Sequence, residues 1–411
     1  MAKTKKKATK KTAKKSASSS KSKLGQAKAM LVKALKGDDW HTKLDPKLLT
    51  KSIPHRPTGS IIVDYLIGGK ANKNGIAPCP GLPMGSIFNL YGHEASGKTT
   101  LALTTAATTI KAGGVVCYID WEHEIQPQYA AALGVPIDDE ERFMLCSPDT
   151  LEDGLAILWT MASAGIELIV LDSVGAGVPK AYFEKSIAET GDRAQVGANA
   201  AAWSQFLPKL KARCRKTGTS IVAISQIRSA INTMGYGDNI TVQGGKAFKF
   251  YSAVRMKLQK VGSEKASEYS ALTNKSDQRV TGAKIKAKLD KCKVSDQQNN
   301  EEYFYIRWGE GIDDLRSIIE IAISHNVIRK KGAWLYWTDP DGEEHGKQGM
   351  EKFRGMFAKD QSKLALLQKQ VRPFMATQVA ESADEEEDED FDPAMLEANA
   401  ELAEIIGAMD D

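Results

Sequence analysis

Between residues 58 and 294 the chain alternates two hydrophobic rhythms. Short apolar runs bounded by Gly, Pro and polar residues predict strands over 86–91, 115–120, 143–146, 168–172, 220–226, 254–259 and 284–291. Between them, apolar positions recurring every third or fourth residue predict helices over 98–111, 151–163 and 195–215. Strand–helix alternation of this kind predicts an α/β core with a mostly parallel sheet covered by helices on both faces. The last two strands follow one another without a helix, so an antiparallel edge is expected there. Two stretches break the rhythm, 183–193 (FEKSIAETGDR) and 228–245 (RSAINTMGYGDNITVQGG). Long irregular loops inside a compact core are usually functional or disordered.

Outside this core, residues 24–35 (LGQAKAMLVKAL) read as one amphipathic helix. It is too short to be stable alone and must dock on the core or on a neighbouring subunit. The expected organisation is therefore a Lys-rich tail (1–23), an oligomerisation helix and linker (24–57), the core (58–295), a small α/β domain (296–378) and an acidic tail (379–411). The small domain carries Tyr303, Phe304, Tyr305, Trp308, Trp334, Tyr336 and Trp337, most of them expected in its own core.

Charge changes this picture. Residues 1–23 hold ten lysines and no acid, and residues 381–411 hold fourteen acids and no base. Taking both ends out of the net +4 leaves a body at +8, which suits a polyanion partner with the acidic tail as an electrostatic competitor. Five scattered cysteines form no C-x-x-C pair, which argues against a zinc ribbon or disulfide framework; Cys117 and Cys146 lie in apolar stretches and read as core. With no apolar run of about 18 residues and no signal-peptide h-region, a cytoplasmic, non-membrane protein is expected.

Candidate chemistry centres on Gly92-His93-Glu94-Ala95-Ser96-Gly97-Lys98-Thr99, followed by Thr100. This G-x-x-x-x-G-K-[ST] run follows a strand and opens a helix, the context in which backbone N–H groups and a helix N-terminus cradle phosphates. Lys98 is expected to reach the β- and γ-phosphates of ATP, and the Thr99 hydroxyl to ligate Mg²⁺. Asp172 ends the apolar run 168–172 and is the expected second Mg²⁺ carboxylate. Hydrolysis further needs a group that orients or deprotonates water. Glu122, just past a core strand, is a candidate, with Asp120, His123 and Glu124 as rivals. Gln226 ends another strand directly before the second loop, where an amide could touch the γ-phosphate or have no duty at all.

Read together, GLPMGSIFNLYGHEASGKTT, YIDWEHEIQPQYAAALGV, LIVLDSVGAGVPK, ISQIR, GGKAFKFYSAVR, GEGID and KKGAW resemble the RecA family of DNA recombinases in order and spacing, from about residue 58 to 356. The resemblance implies a RecA-like P-loop NTPase core. It implies that Glu122 is the catalytic glutamate, that Tyr129 stacks on adenine, and that Gln226 senses the γ-phosphate. It implies that Lys291 and Lys293 reach the ATP of a neighbouring subunit and that Lys249 and Phe250 lie in the same interface. DNA is then expected at the two loops, with Arg228, Gly244 and Gly245 in the second and Lys185 in the first. The implied activity is DNA-dependent ATP hydrolysis driving filament assembly on single-stranded DNA, homologous pairing with double-stranded DNA and strand exchange. The small C-terminal domain is expected to gather duplex, and single-strand-binding and loader proteins are expected helpers. An insertion near 70–80, the lysine tail and Gln126, which stands where an aspartate is common, point to a divergent member with a bacteriophage genome as its expected source. Two other readings compete: a hexameric helicase on the same core, and a non-catalytic DNA binder using the lysine tail.

Overall fold

The computed structural model describes residues 52–69, 77–183, 192–229, 240–242, 246–270, 275–297 and 299–375. The expected oligomerisation helix at 24–35, both tails, Lys185, Gly244 and Gly245 lie outside them.

In chain order the elements are β1 (His55–Arg56), α1 (Ile61–Gly68), β2 (Leu82–Pro83), β3 (Ile87–Gly92), α2 (Lys98–Lys111), β4 (Val116–Asp120), α3 (Pro127–Ala132), β5 (Phe143–Cys146), α4 (Leu151–Ala164), β6 (Leu168–Asp172), α5 (Lys180–Phe183), α6 (Asp192–Thr217), β7 (Ser220–Ser229), β8 (Ile240–Val242) and α7 (Ala247–Tyr251). There follow β9 (Val254–Ser270), β10 (Lys275–Cys292), β11 (Glu301–Arg307), β12 (Gly311–Ile312), α8 (Asp314–Ser324), β13 (Ile328–Lys331), β14 (Trp334–Thr338), β15 (Glu344–Gln348), α9 (Met350–Lys359) and α10 (Gln361–Met375).

One large sheet runs in the order β12-β11-β10-β9-β3-β7-β6-β4-β5, with β8 paired to β7. The block from β9 through β3, β7, β6 and β4 to β5 is parallel, and β10, β11 and β12 continue it antiparallel. The antiparallel edge foreseen from the missing helix is present. It also extends past residue 295, since β11 and β12 complete the large sheet. Strands β9 and β10 are far longer than their apolar runs, because the hairpin continues through polar residues that the hydrophobic pattern cannot reveal.

Period-2 alternation sends successive side chains to opposite faces. Phe88, Leu90, Tyr118, Leu168, Val170, Val222 and Ile224 pack with α1 and α2 on one face. Ile87, Cys117, Ile119, Ile169, Leu171, Ile221 and Ala223 pack with α4, α6 and α7 on the other. That second layer is anchored by Trp203, whose ring meets Phe248 at 5.0 Å and Trp121 at 6.2 Å. A separate core joins α8, α9 and α10 to the three-stranded sheet β13-β14-β15 through Ile319, Trp337, Phe353, Phe357 and Val371. Of the aromatics expected inside, Phe304, Tyr305 and Trp337 are buried, whereas Tyr303, Trp308 and Trp334 are exposed. No helix among the described residues is long and apolar enough to cross a membrane.

The expected loop at 228–245 contains β8, which pairs Ile240, Thr241 and Val242 with Ser229, Arg228 and Ile227. Three β-branched residues suit a strand despite the surrounding glycines. At the other loop, α5 ends at Phe183 and α6 begins at Asp192.

Two half-buried carboxylates lie where α1 meets α8. Asp64 accepts hydrogen bonds from the Thr58 amide (2.9 Å) and hydroxyl (2.7 Å), and Asp314 accepts one from the Ile61 amide (3.1 Å). Burial pushes Asp64 up to about 8 and Asp314 up to about 7. Folding thus favours the protonated acids, so their contribution is full below the ordinary carboxylate range and is lost as pH rises through about 7–8. Asp64→Asn keeps the accepting oxygen and removes the charge. Its folding stability is expected to exceed the parent's by more at pH 8.5 than at pH 6, the gain between the two being on the order of 1–3 kcal/mol and read as a larger rise in melting temperature at pH 8.5. Parallel melting curves for the two proteins across that range would refute the assignment.

Candidate nucleotide site

The loop between β3 and α2 is shaped by close approaches. A Cβ on Gly92 would lie 2.2 Å from the Leu258 carbonyl oxygen, which only glycine avoids. Gly97, which caps α2, has φ 87, and a Cβ there would meet the Ile306 side chain at 2.6 Å. Ala95 holds φ 56, a left-handed conformation costly for a residue with a side chain. The turn presents the first amides of a 14-residue helix to a cavity of about 390 Å³. Its walls bring Lys98, Thr99, Thr100 and Asp172 together with Glu122 and Gln226.

Lys98 is nearly buried, and its Nζ donates to the His93 carbonyl at 2.7 Å. Burial lowers its ammonium from the usual lysine range, opposed by the charges of Asp172, Glu122 and Glu94. Asp172 closes the opposite wall. Its Oδ2 accepts from the Thr99 hydroxyl at 3.0 Å and from the Tyr118 hydroxyl at 2.7 Å. Burial raises it to about 6, helped by Glu122 and Asp120 and opposed by those two hydroxyls. A buried carboxylate touching a threonine hydroxyl is a hard oxygen donor set, and its raised value means that a divalent cation would relieve the cost of ionising it. The residues therefore fit Mg²⁺, to be held by Thr99 and Asp172.

The geometry separates the rival acids. Asp120 ends β4, and its carboxylate accepts from the backbone amides of Glu122 (2.9 Å), His123 (3.0 Å) and Ile125 (3.2 Å). It is consumed in shaping the turn. Glu122, displayed by that turn, accepts through Oε1 from Ser173 Oγ at 2.5 Å and from Gln226 Nε2 at 2.8 Å. Three neighbouring parallel strands thus converge on one carboxylate toward the C-terminal side of the sheet, the usual ligand side. Gln226 does not end its strand as expected, because β7 runs on to Ser229 by pairing with β8. His123 is exposed and does not line the cavity; Glu124 lines it but is exposed.

Tyr129, half-buried on α3, shares a 2.7 Å hydrogen bond with the Thr100 hydroxyl, so its ring lies beside the start of α2. Lys249, Phe250 and Lys291 do not line the phosphate cavity. They meet in a second concavity of about 430 Å³ with Arg255 and Asp290. There Lys291 Nζ donates to the carbonyls of Lys249 (2.5 Å) and Phe250 (3.0 Å), and Phe250 projects 65% exposed. Desolvation, reinforced by Lys293, Lys211 and Arg255, lowers Lys291 to about 8. Lys293 is exposed next to it, its amide bonded to the Ala253 carbonyl at 3.0 Å.

Sequence reading missed Tyr118 and Ser173, which hold Asp172 and Glu122. The signal available was only their adjacency to strand ends. It also missed a basic sheet face on which Lys284, Lys286 and Lys288 alternate with buried Ile285, Ala287 and Leu289. On that face Lys284 lies 4.4 Å from the Tyr303 ring centre, Lys286 pairs with Glu301 at 2.6 Å, and Lys257 stands opposite Lys288. The period-2 lysines of KIKAKL were the readable clue.

Comparison with known proteins agrees with this geometry. The RecA N-terminal domain family matches residues 43–313. Protein RecA of Herpetosiphon aurantiacus is 38% identical over 301 residues, covering 72% of this chain and 76% of that protein. Protein RecA of Chlamydia pneumoniae is 36% identical over 312 residues (75% and 80%), and that of Gloeobacter violaceus 36% over 325 residues (79% of each). With more than half its length matched by the family and these relatives spanned over most of theirs, the chain belongs to the RecA family.

Proposed function

We propose that this protein is an ATP-dependent recombinase that assembles as a filament on single-stranded DNA and catalyses homologous pairing and strand exchange with a duplex. The observation that carries the reading is the Gln226–Glu122 contact of 2.8 Å. It joins the candidate water-activating carboxylate to β7, two residues before Arg228 and the glycine-rich segment proposed to hold DNA. Loss of the γ-phosphate would thereby be felt in the segment that grips the strand.

In the proposed mechanism the amides of residues 94–99 and the Lys98 ammonium bind the triphosphate. Mg²⁺ held by Thr99 and Asp172 would supply charge neutralisation at the phosphate oxygens. Glu122, oriented by Ser173 and Gln226, accepts the proton of the attacking water. Lys291 and Lys293, with the interface residues Lys249 and Phe250, complete the site of the adjacent subunit, which makes turnover depend on assembly. Arg228, Gly244, Gly245 and Lys185 are proposed DNA contacts through the sugar–phosphate backbone, so that sequence is read by base pairing.

Two further surfaces suit the second polynucleotide. One is the Lys257/Lys284/Lys286/Lys288 face with Tyr303. The other is the ribbon where Arg329 and Lys331 stand opposite Tyr336 and Trp334. Both interleave cations with aromatic rings, an arrangement suited to nucleic acid. A reducing cytoplasm, with loader and single-strand-binding proteins as helpers, is the proposed setting.

The test is ATP turnover with and without single-stranded DNA, followed by electron microscopy of the complex with a non-hydrolysable ATP analogue. DNA-stimulated turnover and open helical filaments are expected. Closed rings would favour the helicase reading, and DNA-independent or absent turnover would overturn the recombinase.

A further inference from the structure

The sheet brings two thiols together at its edge. Cys117 on β4 and Cys146 on β5 approach to 4.0 Å between sulfur atoms. The strands are parallel, with Ile119 opposite Cys146 and Cys117 opposite Met144, so the pair is a diagonal one. None of the five cysteines is in a disulfide; Cys79, Cys117, Cys214 and Cys292 are buried, and Cys146 alone is part-exposed. The two sulfurs must close by only about 2 Å to reach disulfide length. The partner that must move is β5, the last strand of the sheet, whose Met144 and Leu145 are each 44% exposed. Short edge strands shift more cheaply than central ones.

We propose that Cys146 and Cys117 form a peroxide-reactive dithiol, in which Cys146 is oxidised first and Cys117 resolves it to an intramolecular disulfide. The Cys146 thiolate attacks one peroxide oxygen; an S–O bond forms, the O–O bond breaks, and hydroxide leaves to become water on protonation. Cys117 sulfur then attacks Cys146 Sγ; the S–S bond forms, the S–O bond breaks, and the departing hydroxide takes the Cys117 proton as a second water. Two electrons pass from the two sulfurs to one peroxide.

Division of labour follows from the surroundings. Of the two, Cys146 alone reaches solvent, and the hydrogen bond from the Cys117 thiol lowers it below the usual thiol range, which favours its thiolate. The same contact, together with burial, drives Cys117 far above that range, which keeps it protonated and shielded until a sulfenic acid forms beside it. Burial also raises Cys79 and Cys214 to about 12, leaving neither competitive. The product would fasten the edge strand to β4 three residues before Asp120, whose carboxylate shapes the turn that displays Glu122.

The test treats the full-length protein with hydrogen peroxide at near-stoichiometric ratio, blocks free thiols with an alkylating agent, and maps peptides by mass spectrometry without reduction. A Cys117–Cys146 linked peptide, lost on adding dithiothreitol, is expected. In Cys117→Ser, Cys146 is expected to be trapped by dimedone as a sulfenic acid; in Cys146→Ser, Cys117 is expected to stay reduced. Unmodified Cys146, a Cys146 sulfinic acid with Cys117 free, or disulfides only between chains would each overturn the proposal. The readout is thiol connectivity, so it stands or falls independently of whether the protein hydrolyses ATP.

Discussion

Lys98→Ala is expected to abolish ATP-dependent filament formation and strand exchange while leaving a folded protein. Lys98 is the cation of a cavity otherwise walled by Glu94, Glu122, Glu124 and Asp172, so its removal leaves the triphosphate facing carboxylates with no compensating charge from that helix. A charge-assisted hydrogen bond to phosphate contributes roughly 1.5–3 kcal/mol, which corresponds to a loss of about 10- to 200-fold in nucleotide affinity. Turnover falls further, because the charge that develops on the γ-phosphoryl oxygens is also left unneutralised. Stability is expected to change by less than about 1 kcal/mol, since burial already disfavours the ammonium and the His93 carbonyl is its closest partner. Fluorescent-nucleotide titration, thermal melting and strand exchange on the same preparation check the three parts. Wild-type strand exchange by this variant would remove Lys98 from the phosphate site.

Glu122→Gln is the second large effect. The amide oxygen of glutamine can still accept from Ser173 and Gln226, so the three-strand junction is preserved while the proton acceptor is removed. ATP hydrolysis is expected to slow about 10²- to 10⁴-fold, the usual contribution of a positioned general base. Nucleotide binding should hold or tighten, because one negative charge leaves the cavity, and filaments on single-stranded DNA should persist longer. Steady-state phosphate release alongside filament lifetime measures both. Turnover equal to the parent's would show that another group activates water.

What the sequence determined by itself is local. The run from Gly92 to Thr99 encodes its own turn, because glycine is the residue that accepts the close approach at position 92 and the positive φ at position 97, and the helix that follows supplies the amides. The parallel sheet was legible for a similar reason: doubly buried strands must be apolar along their whole length, and β6, buried at every position, matches its apolar run at both ends. The extension of β9 and β10 was not legible, since a hairpin of polar residues carries no burial signal.

Tertiary structure decided which side chains work together. Asp120 and Glu122 are two residues apart and equivalent by spacing. Only the fold turns one carboxylate onto three backbone amides and the other toward Ser173 and Gln226, 51 and 104 residues away. Tyr118 and Asp172, or Cys117 and Cys146, are likewise partners because their strands are neighbours in the sheet. Hydrophobic periodicity records whether a position is buried, whereas the identity of its neighbour follows from strand order, which depends on how helices cross over the sheet.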